Sequence, residues 1–265
     1  MENFIPHHRR LWLYLLAALV MIYLVVPTLI VVPMSFSGSE TLKFPPPSFS
    51  LRWYIRYFSL AEWRDPTLVS LKLAAITTLL ATPLGTAAAY GLHVGNPPFA
   101  KVIRGILVSP LMVPVILFAI ATYFVYAKIG LVNTLGGLIM ADMVLTIPFV
   151  LVAVTAGLAS YDMTQEAVAR SLGASRLRAF FTVTLPQIRY SVISGALFAF
   201  IASFDEVVIA SLLSNGETAT LTNRMFMTLL SEIDPTIAAI STVMLMITML
   251  PPVILHLLAG RRRDP

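Results

Sequence analysis

The sequence predicts an all-α membrane protein: six transmembrane helices with cytoplasmic N- and C-termini and a helix-turn-helix projecting between the fourth and fifth spans. Three observations carry this. Of 265 residues, 58% are hydrophobic and only 12% charged, where a soluble domain carries about a quarter charged residues. Residues 11–39, 73–100, 105–127 and 235–260 contain no Asp, Glu, Lys or Arg, and each run exceeds the roughly 20 residues a helix needs to cross the hydrocarbon core. The arginines gather in alternate connections, as membrane orientation requires.

Hydropathy places the spans at about 11–34, 68–91, 105–126, 134–159, 189–213 and 236–259. The first follows His7-His8-Arg9-Arg10 and resembles a secretory signal in outline. Its apolar run is too long for a signal's short core and no small-residue cleavage site follows, so it reads as a retained span. An even number of spans puts both termini on one side. Arg9, Arg10, Lys101, Arg104, Arg170, Arg176, Arg178, Arg189 and Arg261 to Arg263 mark that side as cytoplasmic, against Lys43, Arg52, Arg56, Arg64, Lys128 and Arg224 opposite.

The first outer loop holds Pro45-Pro46-Pro47 and then Leu51 to Phe58, whose mixture of aromatics and arginines suits a short helix in the headgroup layer. Pro27, Pro83, Pro110, Pro114, Pro148 and Pro251-Pro252 fall inside spans. Each removes a backbone donor, so kinks are expected there.

Several chemistries are excluded or lack support. There is no cysteine, hence no disulfide, thiolate metal site or cysteine nucleophile. His7, His8, His93 and His256 are scattered, without metal-ligand spacing. No Gly-x-x-x-x-Gly-Lys-Ser/Thr loop is present to cradle a nucleotide. The net charge of +5 is accounted for by span-end arginines and calls for no nucleic acid.

The longest cytoplasmic segment, residues 161–187, reads as helix, turn, helix. Asp162, with Gln165 three positions on, can cap a first helix that Gly173 ends in a left-handed conformation. Ser175 can cap the second, on which Leu177, Phe180 and Phe181 fall at one-turn spacing. An apolar stripe outside the membrane is expected to be covered, either by a partner or by the loop folding back on the helix ends. Within the spans, Asp142, Asp205 and Glu206 are costly unless they face protein or water. Adjacent helical positions diverge by about 100°, so at most one of Asp205 and Glu206 points straight into a central path.

The run Glu166-Ala167-Val168-Ala169, then Gly173-Ala174 and Leu185-Pro186, resembles the EAA loop of binding-protein-dependent ABC importer permeases. Ser70-Leu71-Lys72-Leu73-Ala74, Pro148, Ser203-Phe204-Asp205-Glu206-Val207-Val208-Ile209-Ala210-Ser211 and Pro235-Thr236-Ile237-Ala238-Ala239 resemble the spermidine/putrescine branch. Anchored on Gly173, the family glutamate register falls on Ala167, with Glu166 one position early; Leu221-Thr222 stands where relatives often have Leu-Pro.

The resemblance implies one transmembrane permease domain over 1–265, half of a translocation path for a small hydrophilic solute, a polyamine in this branch. It implies that Glu166, Ala167, Gly173, Ala174, Leu177, Phe180, Phe181, Leu185 and Pro186 couple to an ATPase; Asp142, Asp205 and Glu206, singled out by the cost of acidic groups in spans, are the candidates for the path, with bonds to a neighbouring span or to the partner permease as the structural alternative. The implied partners are a second, paralogous permease, a dimer of ATPase subunits and a periplasmic or extracellular solute-binding protein, in the bacterial inner (plasma) membrane. ATP and Mg2+ belong to the ATPase, and this chain binds no cofactor and catalyses no reaction. The alternatives are a permease for another organic or inorganic solute, or a gradient-driven transporter with the intramembrane carboxylates as coupling sites.

Overall fold

A computed structural model describes residues 11–95 and 97–260, the side chains of 254–260 excepted. The basic termini that bear on orientation, His7 to Arg10 and Arg261 to Arg263, lie outside the described residues, as does the side chain of His256. The described chain is all-helical, and an isolated antiparallel bridge between Ser37 and Phe49 is its extended pairing.

Among the described residues five helices are long and apolar enough to cross a membrane: α1 (Leu11–Ser35), α3 (Ala61–Gly95), α6 (Leu135–Ala159), a continuous helix over Arg176–Phe204, and the Thr236–Val253 stretch of the last helix. A 25-residue helix such as α6 measures about 38 Å. The third expected span is not one helix. Ala100–Leu111, which comprises α4 (Ala100–Val108) and a 3-10 turn, meets α5 (Val115–Ile129) at a 93° bend. Pro114 stands at the N-cap of α5 with extended ψ of 123° and cannot donate back to the preceding turn. By contrast the helices run through Pro27, Pro83, Pro148 and Pro251-Pro252.

The fifth expected span, 189–213, also divides. Helix α7 (Thr164–Ser171) and α8 (Arg176–Ala179) make the hairpin, and a π turn over Phe180–Thr184 leads into α9 (Leu185–Phe204). Then residues 205–207 break the helix before α10 (Val208–Leu213). The π turn answers Pro186, which lacks an N–H and whose ring would clash with the Thr182 carbonyl in a regular α-turn. Leu185 N–H instead reaches back five residues to the Phe180 carbonyl. The chain continues through α11 (Leu221–Ser231) to α12 (Thr236–Gly260).

Contacts divide the chain into two compact units, the described part of Met1–Ala61 with Thr228–Met249, and Glu62–Met227 with the described part of Leu250–Pro265. In the first, the expected short helix is present as α2 (Arg52–Ser59). Trp53 and Tyr57 are its buried face, and Tyr54 Oη lies 2.6 Å from Ser35 Oγ. The opposite face leaves Leu51, Ile55 and Phe58 exposed. Arg56 pairs with the buried Asp234 at 3.4 Å.

In the second unit α6 and α9 form the principal packed pair, around a core of Ala89, Val150, Leu151, Val154, Leu158, Ile188 and Ala199. Close approach needs a small residue, since lipid supplies no hydrophobic drive between helices. Gly195 provides it: a Cβ there would lie 3.0 Å from the Val150 Cα, a backbone atom that cannot swing aside. We expect Gly195→Leu to cost about 2 kcal/mol or more through overpacking. Gly195→Ala should cost less, and the drop in Tm of the detergent-purified protein is the measurement.

Candidate functional site

The hairpin is built by local capping. Asp162 Oδ1 accepts the Thr164 N–H at 2.9 Å, and hydrogen bonding from the Thr164 side chain, with this N–H second, holds the carboxyl below its ordinary pKa. Gln165 takes no side-chain part; its N–H reaches the Asp162 carbonyl at 3.3 Å. At the other end of α7, Gly173 has φ +95°, its N–H bonds the Arg170 carbonyl and the Ala174 N–H bonds the Ala169 carbonyl. This is the Schellman pair of bonds that closes a helix on a left-handed residue. Ser175 Oγ then accepts the Arg178 N–H at 3.3 Å and opens α8. The sequence-derived helix, turn and helix are therefore present, with Gly173 at the turn.

The apolar surface differs from the expected stripe. Leu177 (71% exposed) and Phe181 (61%) face outward, and Leu172 (83%) and Val168 join them. Phe180 instead turns inward, its ring 4.6 Å from that of Tyr90 on α3. Neighbouring residues on a helix diverge by about 100°, so the segment gives one phenylalanine to its own core and one to the surface. Ala167 is exposed and Ala174 half-buried. Leu185 and Pro186 sit in the first turn of α9 rather than on the exposed patch.

Glu166, expected among the ATPase contacts, is 2% exposed. Tyr90 Oη donates to its Oε1 at 2.6 Å and Thr184 Oγ1 to its Oε2 at 2.5 Å. Ala167, on which the family glutamate register falls, is exposed.

The three intramembrane carboxylates separate into different roles. Asp142, expected on the path, is buried, and its Oδ2 accepts from Ser203 Oγ at 2.5 Å, tying α6 to α9. Glu206 caps α10: its two oxygens accept the N–H groups of Ile209 (2.9 Å) and Ala210 (3.0 Å). Those bonds replace the carbonyls a continuous helix would supply, which is why α9 stops where it does. Asp205, in the break itself, is exposed. Of the carboxylates between α10 and α12, Glu217 and Glu232 are exposed, whereas Asp234 is already engaged by Arg56 and the Thr236 N–H.

A polar layer around the break was not legible in the sequence. Thr222 Oγ1 donates to the Glu206 carbonyl at 2.9 Å, Asn223 Nδ2 to the Ala210 carbonyl at 3.4 Å, and Leu221 N–H to Ser70 Oγ at 2.9 Å. Thr222, in place of the proline of Leu-Pro, thus supplies a hydroxyl that holds the segment. Among the described residues no group of His, Asp or Glu is arranged to hold a metal ion.

Comparison with known proteins bears on both ends of this unit. The family described as "Binding-protein-dependent transport system inner membrane component" matches residues 81–264, hairpin and broken span included. The chain is 29% identical over 256 residues to the putrescine transport system permease protein PotI of Escherichia coli K12, covering 92% of this chain and 89% of that one. It is 27% identical to the spermidine/putrescine transport system permease protein PotC of Haemophilus influenzae, covering 91% and 93%. Among solved structures it is similar to a chain of a bacterial ABC transporter that imports the acidic polysaccharide alginate, with TM-score 0.70, 14% identity and coverage of 99% and 100%. A second alginate transporter structure, in complex with alginate pentasaccharide-bound periplasmic protein, gives TM-score 0.68 at 16% identity, covering 97% and 96%.

Proposed function

We propose, from the premise that this chain belongs to the binding-protein-dependent transport system inner membrane component family, that it forms half of a polyamine path in the bacterial inner membrane. It is a multi-pass membrane protein and a permease subunit of an ABC importer, a non-catalytic transport component whose ATPase is a separate subunit. The family supplants the gradient-driven reading, and the carboxylates that reading would use are partly committed: Asp142 to Ser203 and Glu206 to α10.

In this reading the exposed patch of Val168, Leu172, Leu177 and Phe181 seats one protomer of an ATPase dimer, which holds ATP and Mg2+. A second, paralogous permease closes the path, and a solute-binding protein delivers solute from outside. Six spans, the bent α4–α5 pair counted as one, put both termini in the cytoplasm. Cysteines introduced into the cysteine-free chain test the sidedness. Ser175→Cys should be labelled by an impermeant reagent only in inverted vesicles, and Asn215→Cys only in intact cells; the reverse pattern overturns the orientation.

The observation that carries the solute class is the pair of relatives named for putrescine and spermidine/putrescine transport, each matched over about nine-tenths of this chain. The alginate importers share the fold alone, and fold does not set the cargo. The cognate binding protein, co-purified and titrated with putrescine and spermidine, should bind one of them in preference to sugars and anions. Asp205 is the carboxylate left free at the break in the fifth span. Asp205→Asn should slow uptake of a cation roughly tenfold by removing an attractive charge from the path. Glu206→Gln should instead lower Tm, because one α10 amide loses its acceptor.

A further inference from the structure

We propose that Glu166 is a positioning residue that locks the hairpin to two spans at once, through Tyr90 on α3 and Thr184 at the foot of α9, so that a displacement of the hairpin is passed to both. The inference rests on the permease reading above and goes beyond it, because it concerns an internal linkage rather than the surface that meets the ATPase.

A carboxylate with 2% exposure is a costly thing to keep, and its worth depends on how its oxygens are satisfied. Here each oxygen takes one hydroxyl, and the two donors come from different elements. Tyr90 lies 76 residues before Glu166 and Thr184 18 residues after it. Thr184 is itself fully buried and ends the π turn, which is the join between the hairpin and α9. Tyr90 is held from a second direction by the Phe180 ring, which belongs to the same turn. Three elements therefore converge on one side chain, and Phe180, which packs on Tyr90 there, directly precedes the exposed Phe181. A single bond to one oxygen would anchor the hairpin at one point; two short hydroxyl bonds on opposite oxygens fix both its position and its rotation. From there α9 runs to Ser203, whose hydroxyl reaches Asp142, and to the break that carries Asp205. The linkage thus begins next to the exposed Phe181 and ends, through one continuous helix, at the path.

Tyr90→Phe and Thr184→Val remove only the hydroxyls, keeping the ring contact with Phe180 and the volume at the π turn. In proteoliposomes holding the complete importer, each should lower the solute imported per ATP hydrolysed about threefold and the double variant about tenfold. ATPase co-purification should stay at the wild-type level. Glu166→Gln should outperform Glu166→Ala, since its Oε1 still accepts from Tyr90 and its Nε2 can donate to Thr184. Wild-type stoichiometry in the double variant would overturn the proposal. So would loss of assembly in both single variants, because the bonds would then serve folding and not transmission. A wild-type complex that imports nothing on ATP would instead overturn the permease reading on which the proposal rests.

Discussion

Gly173→Val is expected to weaken ATPase capture by at least about tenfold and to reduce uptake accordingly. At φ +95° a Cβ meets no other atom within 4 Å, so the penalty is one of backbone conformation and not of packing. A left-handed residue with a Cβ costs about 1–2 kcal/mol, and branching at that carbon adds to it. The chain can escape only by leaving the left-handed region. That would break the bonds from Gly173 N–H to the Arg170 carbonyl and from Ala174 N–H to the Ala169 carbonyl. Leu172 and Leu177 flank this turn, so their separation and direction would change with it. About 1.4 kcal/mol is tenfold in affinity. Gly173→Asn, which tolerates the left-handed region better, should retain more capture than valine. Equal capture by all three proteins would show that the turn does not set the surface.

The second large effect is expected at the exposed patch. Leu177→Asp and Phe181→Asp should each release the ATPase, at a cost of about 2 kcal/mol or more if these side chains are the anchors buried by the partner. Because both point away from the chain, the Tm of the isolated permease should move little. Phe180→Asp makes the contrast. It would place a carboxylate against Tyr90, close to Glu166, and should lower Tm before it affects any contact with the partner. Pull-down and thermal unfolding, run on the three variants together, separate the outward residues from the inward one. Retained capture in both aspartate variants would assign the patch to another role.

The contrast between Phe180 and Phe181 shows what the sequence could and could not disclose. The hairpin was legible because Asp162, Gly173 and Ser175 act on neighbours within five residues, and local capping chemistry needs no tertiary knowledge. The apolar helices were legible from their length. The division of the third span was foreshadowed by Pro110 and Pro114, yet Pro83 and Pro148 lie in helices that continue, so proline alone does not say which helix bends. The break after Phe204 depends on a side chain, since Glu206 competes with the backbone for two amides. Tyr90 with Glu166 and Ser203 with Asp142 are pairs separated by 76 and 61 residues, and no periodicity links them. Residue type points Asp142 to the path and the family resemblance points Glu166 to the partner, whereas the fold turns both inward. Asp205 stands exposed at the break, and the uptake assay on Asp205→Asn is what tests its proposed place on the path.

The central claim is that this chain is half of an ATP-driven path for a cationic solute, and reconstitution tests it most directly. The chain, its partner permease, the ATPase and the binding protein would be placed in proteoliposomes, and labelled putrescine and spermidine followed inward with Mg2+-ATP on the ATPase side. Uptake that requires both ATP and the binding protein, and that persists when ionophores collapse every ion gradient, is the result expected. Uptake driven by an imposed ion gradient without ATP, or ATP-driven uptake of other solutes with none of either polyamine, would contradict it.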